Sequence, residues 1–378
     1  MNKSFVFTFI FVITGAIVGA GFASGKEIAS FFAQYGFWSI PFILLAGILF
    51  FFVFCLFAKI GKNTKPNSIS DLTKTIFGKS SIVVDFAFII SSFITLSSMI
   101  AGLDSTMHVA VGENYVFPFV SIVCCIIVAV ILNFGLKKIL KFTDNIMPFL
   151  FAMIIAISLA FLLFGKREQI GYASVNRNVF SMSISPFLYV SMNVFGNIFL
   201  IAKVSTYLKK RQIVVASVIS SVLLIISILL VALCVLFGGE KVFYSDMPML
   251  SLATSLGQVF EILYFVILIV AIFTTICTTA YTISKWLNNY ISNSFLCGVI
   301  VLTMGFVFSR FGFSTIVDIF YPIEGIFGSI FIIISALFYF KNLKNKKNVN
   351  EKTPIVDGVS VSKKNGQIVI KKKYRKKK

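Results

Sequence analysis

Apolar residues fall in runs of about 20 or more along this chain, long enough for a helix to cross a hydrocarbon layer. The runs are 5–34, 38–59, 82–111, 115–134, 142–164, 181–202, 212–237, 249–284, 294–310 and 315–340. They predict an all-α membrane protein of about ten transmembrane helices. The first and sixth runs are interrupted by Gly and Asn. The run 249–284 is long for one crossing, which predicts a steeply tilted helix or one that extends beyond the bilayer. Between the second and third runs, Pro66 is followed by a weakly amphipathic piece, Ile69–Phe77, which predicts an interfacial helix. The connection 165–180 is the largest loop on the opposite side.

The two interrupted runs each open a set of five. An odd number of spans per half gives the halves opposite orientation in the membrane, a 5+5 inverted repeat. Broken helices at corresponding positions of two such halves point to a binding site. The transmembrane domain is 1–340, with a first repeat of about 1–164 and a second of about 165–340. The remainder, 341–378, is a separate tail.

Composition strengthens this picture. Apolar residues make up 58% and charged ones 13%, with 45 Phe, and a water-soluble fold of 378 residues could not hide that surface. The six cysteines all sit inside apolar runs, form no C-x-x-C pair and read as small packing side chains. The small residues Gly19 to Gly25 mimic a signal-peptide cleavage region, but the apolar pattern continues through Ile28–Gln34.

The net charge of +20 is unevenly placed: the tail holds 14 of the 34 Lys and Arg against Glu351 and Asp357 alone. This is charge for topology and anionic lipid headgroups, not for nucleic acid. With the N-terminus inside, 14 positive residues outside the tail lie on the cytoplasmic side: Lys3, Lys59, Lys62, Lys65, Lys74, Lys79, Lys137, Lys138, Lys141, Lys203, Lys209, Lys210, Arg211 and Lys285. Six lie on the other: Lys26, Lys166, Arg167, Arg177, Lys241 and Arg310. The distribution predicts a multi-pass protein of the cell membrane with both termini cytoplasmic. The basic tail predicts disorder; the Asn365-Gly366 turn between short alternating stretches is compatible with a small hairpin instead.

The chemistry concentrates in three places. The first is Thr14-Gly15-Ala16-Ile17-Val18-Gly19-Ala20-Gly21-Phe22-Ala23-Ser24-Gly25-Lys26-Glu27. Each glycine weakens a helix by roughly 1 kcal/mol relative to Ala, and the charges follow directly in an apolar span. An unwound, ligand-binding segment fits this pattern. A small-residue packing face fits it too, since Gly15/Gly19 and Gly21/Gly25 are G-x-x-x-G pairs. A phosphate-binding loop does not fit: Ala20 stands where a Gly is required and Glu27 where Ser or Thr is. The second place is Pro186 with Asn193, Gly196 and Asn197 in the sixth span, which serve either a half-helix end and a polar solute or as interhelical hydrogen-bond donors. The third is Thr274-Thr275 and Thr278-Thr279 in the eighth, hard oxygen ligands for a cation such as Na⁺ unless they only back-bond to their own helix.

The order of ten spans with breaks in the first and sixth resembles the amino acid–polyamine–cation superfamily with its LeuT-type fold. The segment Gly19-Ala20-Gly21-Phe22-Ala23-Ser24-Gly25-Lys26-Glu27 resembles its YkvI-type branch. The resemblance covers residues 1–340, and its specific motif is confined to the first span. It implies a solute site at Gly19, Ala20, Gly21, Phe22, Ala23, Ser24 and Gly25 with Asn193, Gly196 and Asn197. It implies a cation site from the carbonyls of Gly15, Val18 and Ala271 with the hydroxyls of Thr274 and Thr275, Thr278 and Thr279 being the fallback pair. Phe22 stands where a second sodium site would need Asn. Proton-coupled relatives can place a Lys in span 5; here Lys141 lies at that span's start, which favours Na⁺. An outer gate is implied between Lys26 and Asp318, with Glu324 the second choice for the acid and Glu27 a local competitor for Lys26. His108 reads as an interfacial side chain.

Two functions follow. One is a secondary transporter of an amino acid or related zwitterion, coupled to Na⁺ or H⁺ by alternating access and needing no other cofactor. The alternative is a solute-sensing subunit on the same fold, like germinant-receptor components, with the tail as its contact to a partner. No H-E-x-x-H, nucleophile–base pair or cofactor motif supports an enzyme.

Overall fold

The computed structural model of the chain describes residues 3–112, 118–134, 137–168, 178–351, 355–356, 359–364 and 367–372. Residues 1–332 form one compact unit and 333–378 a second. Among the described residues, the regular elements of the first unit are all helices, as lipid requires: with no water to bond to, the backbone must pair within each segment.

Span 1 is three short helices rather than one: α1 (Lys3–Ile17), α2 (Ala20–Ser24) and α3 (Lys26–Phe31), followed by a 3₁₀ turn, Ala33–Trp38. Then come α4 (Ser39–Thr64), α5 (Ile69–Phe77), α6 (Ser81–Val111), α7 (Phe119–Phe134) and α8 (Lys137–Phe164). The second half holds α9 (Val179–Ser205), α10 (Lys210–Phe237), α11 (Gly239–Phe243), α12 (Pro248–Leu256), α13 (Gln258–Leu287) and α14 (Ser294–Ser309). It ends with α15 (Phe313–Thr315), a π-helical turn (Ile316–Phe320) and α16 (Tyr321–Glu351). Among the described residues, six helices are long and apolar enough to cross a membrane, and four shorter apolar ones lie at 5–17, 119–132, 149–164 and 294–309. The chain is a multi-pass membrane protein.

The expected interfacial helix is α5. A capping box closes its start, with the Ser68 hydroxyl accepting from Asp71 N–H and the Asp71 carboxylate accepting from Ser68 N–H. Thr73 Oγ1 donates to Asp85 at 2.7 Å and ties α5 to the start of α6.

Two expectations are corrected. Span 6 is not broken: α9 runs from Val179 to Ser205 with Pro186 inside it. The Asn193 and Asn197 side chains donate to the carbonyls of Tyr189 and Asn193, 3.0 and 2.9 Å away, so the amides reinforce the helix instead of replacing it. The run 249–284 is not one helix either. It divides at Gly257, whose φ of 124° no side-chain-bearing residue adopts readily, into α12 and the 30-residue α13.

Small residues set how closely the bundle packs. A Cβ on Gly61 of α4 would collide with the backbone of Ala202 on α9, and Cβ atoms on Gly325 and Gly328 of α16 with the backbone at Leu188 and Ser191. Helix α9 is thus gripped from two sides by backbone-to-backbone contact.

Three short strands are described in the tail. Strands β1 (Ile355–Val356), β2 (Val359–Lys364) and β3 (Gln367–Lys372) form an antiparallel sheet in the order β1-β2-β3, with Val361 opposite Ile370 and Lys364 opposite Gln367. The Asn365-Gly366 turn, Arg177 and most of the expected loop 165–180 lie outside the described residues.

The close approach of α4 and α9 predicts that Gly61→Val destabilises the protein by about 1–3 kcal/mol, the usual cost of overpacking. A lower melting temperature of the variant in detergent micelles, read against Gly196→Ala, checks it; a Cβ on Gly196, inside α9, meets nothing within 4 Å.

Candidate functional site

The break in span 1 is held open by hydrogen bonds that replace those an unbroken helix would make. Helix α1 ends at Ile17, and Gly19 is extended at φ −79° and ψ −168°. Helix α2 lasts one turn and ends at Gly25, in the left-handed region at φ 82°, whose N–H donates to Phe22 O at 3.0 Å. The Ser24 hydroxyl donates to Gly21 O at 2.6 Å and accepts from Lys26 N–H at 3.1 Å, serving both sides of the kink. Tyr264 of α13 donates its hydroxyl to Ala23 O at 2.5 Å. Asn197 Nδ2 of α9 lies 3.5 Å from Ala16 O. Gly25 is needed for space as well as for φ, since a Cβ there would lie 2.8 Å from Met249 Cγ.

Lys26 and Glu27, adjacent and both buried, face different cavities. Lys26 lines one of about 550 Å³ with Gln34, Tyr35, Ser181, Ser185 and Asp318. Its ammonium lies 3.5 Å from Asp318 Oδ2. Asp318, on the π-helical turn, also accepts from Ser30. The pairing expected of Lys26 and Asp318 is therefore present as a contact, and Glu27 does not compete for Lys26.

Glu27 lines the second cavity, of about 350 Å³, with Glu324 of α16. Both carboxylates are buried, and Glu324 accepts from Ser91 of α6. Glu27 folds back against Gly21, where an added Cβ would strike its carboxylate. This cavity lies towards the half of the bundle where α1 begins. The first half of α6 and the second halves of α9 and α13 wall it, whereas the Lys26 cavity takes the first turns of α9.

The predicted solute residues divide. Gly19, Ala20, Gly21 and Phe22 line the Glu27 cavity together with Asn193, Gly196 and Asn197. Ala23, Ser24 and Gly25 do not line it; they are buried and form the kink. The predicted cation residues divide as well. Thr275 lines this cavity with Thr278 and Thr279, while Gly15, Val18, Ala271 and Thr274 are absent from its wall. Thr274 and Thr275 both donate to Ala271 O, at 2.9 and 2.8 Å, so that carbonyl is engaged within its own helix.

Sequence reasoning missed the Glu27–Glu324 juxtaposition, having treated Glu27 as a local partner of Lys26 and Glu324 as a spare gate acid. The available signal was position: Glu27 is the second residue after the break. It also missed a second ion pair, Arg310 to Asp104 at 2.6 Å, in which Asp104 accepts from Ser121 at 2.9 Å. Asp246 joins α6 to the start of span 10 by accepting from Ser105 at 2.8 Å and from Ser314. His108 lines a third cavity, of about 1090 Å³, with Glu168, Lys241 and Asp246.

Removing the hydroxyl that satisfies Ala23 O leaves a buried carbonyl unpaired, at a cost of about 1–3 kcal/mol. Tyr264→Phe should therefore lower the melting temperature in detergent, whereas Tyr244→Phe, on an exposed ring, should not.

No family model matches the chain. It is 21% identical over 328 residues to the uncharacterized membrane protein YkvI of Bacillus subtilis (strain 168), covering 85% of this chain and 92% of that one. It is 24% identical over 356 residues to the uncharacterized protein YyaD of the same organism, covering 87% and 95%. Among solved structures, MhsT in complex with L-phenylalanine matches with a TM-score of 0.55 at 18% identity, covering 88% of this chain and 87% of that one. The manganese transporter of Eremococcus coleocola matches at 0.56 and 16%, covering 90% and 80%. Mhp1, a nucleobase-cation-symport-1 family transporter, matches at 0.54 and 15%, covering 84% and 74%. The broken first span, the helical bundle around it and these likenesses agree: the chain has the LeuT-type fold and is similar along most of its length to the YkvI-type membrane proteins.

Proposed function

We propose that this protein is a secondary transporter of a small solute, an amino acid or related zwitterion, working by alternating access and coupled to Na⁺ or H⁺. The observation that carries the reading is the position of the span 1 break, with a cavity on either side of it and one charged residue of the break in each. A solute bound at Gly19–Phe22 needs only one of the two cavities open at a time to pass from one side to the other.

The roles divide along the two cavities. The Lys26–Asp318 pair joins the segment after the break to the start of span 10 and, as the outer gate, closes the Lys26 side. Asn193 and Asn197 face the solute from α9. Because α9 is continuous, it offers no half-helix end to a carboxylate, and the solute's polar groups meet side chains and the Gly19–Phe22 backbone instead. Thr274 and Thr275, with the Gly15 and Val18 carbonyls, are the proposed sodium ligands; both hydroxyls would turn from Ala271 O to an arriving ion. Lipid surrounds the bundle, and the basic tail meets anionic headgroups on the cytoplasmic side.

Uptake of a pool of labelled amino acids into proteoliposomes tests the reading, with an imposed Na⁺ gradient compared with K⁺ alone and with a pH gradient. The expected result is gradient-driven accumulation; if Na⁺ drives it, Thr274→Val/Thr275→Val abolishes it. No accumulation under any gradient, together with solute-dependent thermal stabilisation, would favour the sensing subunit.

A further inference from the structure

The wall of the Glu27 cavity is made of hydrogen-bond acceptors. The hydroxyls of Thr275, Thr278, Thr279 and Thr282 all donate to carbonyls of α13 itself, at 2.7 to 3.0 Å. The amide nitrogens of Asn193 and Asn197 donate to α9. Each threonine hydroxyl has spent its proton on its own helix and leaves oxygen lone pairs for the cavity, and each asparagine keeps its amide oxygen as an acceptor. On α6, Ser92 and Thr95 do the same, and Ser91 donates to Glu324.

Two carboxylates stand in this wall. Glu27 and Glu324 are each only 6% exposed, and among the described residues no Lys, Arg or His lines the cavity with them. Among the described residues Glu27 receives no hydrogen bond, although it is buried and turned into the cavity. The neighbours that face the pair are uncharged: Ser91 from α6, Tyr189 from α9, and Tyr321 from α16, whose hydroxyl donates to Ser98 at 3.0 Å. Lys26 is turned to Asp318. Two ionised carboxylates within electrostatic reach of one another cannot both remain charged in such a place without a cation.

We propose that Glu27 and Glu324 form a single cation-exchange site, which holds a proton when empty and the ammonium group of an amine-bearing solute when loaded. Binding displaces the proton: the solute brings one positive charge, the shared proton leaves through the cavity, and the site carries one net negative charge before and after. A solute carboxylate would be repelled by the two acids, so it points away from Glu27 and Glu324. A divalent metal ion is less suited, because no cluster of three or more His, Cys, Asp or Glu is present among the described residues. The inference rests on the transporter reading for its place in a transport cycle but not for the binding itself.

The test uses the full chain in detergent micelles and a panel of the twenty amino acids, methylamine, cadaverine and N,N′-diacetylcadaverine. Thermal shifts identify binders, and titration calorimetry in two buffers of different ionisation enthalpy counts protons. Expected are stabilisation by amine-bearing members and none by the diacetylated compound. About one proton should be released per amine bound, with affinity weakening about tenfold per pH unit on acidification, the slope one displaced proton gives. Glu27→Gln and Glu324→Gln should each abolish proton release, while Glu27→Asp and Glu324→Asp retain it and Tyr290→Phe, on an exposed ring, is unaffected.

Four outcomes would overturn the proposal: no amine binding at any pH from 5 to 9; binding without proton release; equal loss in the Asp and Gln variants, which marks a structural role; or Glu-dependent stabilisation by Na⁺ over K⁺ with none by amines. Uptake measured in parallel separates the two readings, since amine binding with proton release but no uptake keeps the site and overturns the transporter.

Discussion

A helix that unwinds inside a membrane releases backbone groups that have no water to turn to, and the rest of this protein is arranged around that constraint. Span 1 is interrupted at Val18–Gly19 and again at Gly25. The freed groups are met one by one: Gly21 O and Lys26 N–H by Ser24, and Ala23 O by Tyr264 from α13. The phenol of Tyr264 is fully buried to reach its carbonyl. The tilted ring of Phe31 and the edge-on ring of Phe32 then pack the segment after the kink against Tyr189 of α9, which Phe50 of α4 also meets edge-on.

Once the break is held, the direction of each charge follows. Position 26 and position 27 lie on the first turn of α3, and successive residues on a helix point about 100° apart. Lys26 therefore meets the π-helical turn of span 10 at Asp318, while Glu27 meets the same span further along, at Glu324. One short helix and one long one thus make an ion pair on one side of the break and a like-charged pair on the other. The first holds two elements together at any pH where both partners are charged. In the exchange site proposed above, the second takes up a proton or a solute ammonium, which would tie the occupancy of the cavity to the electrostatics of span 1.

The wall of the Glu27 cavity was partly legible in the sequence. Gly19, Gly21, Asn193 and Asn197 were singled out because glycines and amides are costly in a hydrocarbon-spanning helix, and they do converge on one cavity. The break expected in span 6 was read from the same kind of residue and is not there. An Asn side chain can either end a helix or bond to the carbonyl four residues back, and only the packing of α9 against Gly61, Gly325 and Gly328 selects the second. Gly257 shows the converse. One glycine inside a long apolar run passed unnoticed, yet its φ of 124° divides the run, because Pro248 starts a separate helix that packs across α13.

What the sequence by itself determined is what depends on local physics. The length of each apolar run, the weakness of the Gly-rich segment, the interfacial helix at Ile69–Phe77 and the placement of basic residues are properties of contiguous stretches, and hydrophobic transfer acts on them directly. The tertiary structure alone decided which distant groups share a space. Glu27 and Glu324 are nearly 300 positions apart in the chain, and nothing in either neighbourhood marks the other. The direction of a hydroxyl proton at Thr275 or Ser91 is likewise a property of the folded helix bundle. The acceptor-lined, doubly acidic cavity is therefore a product of packing, because electrostatic proximity exists only after the fold has formed.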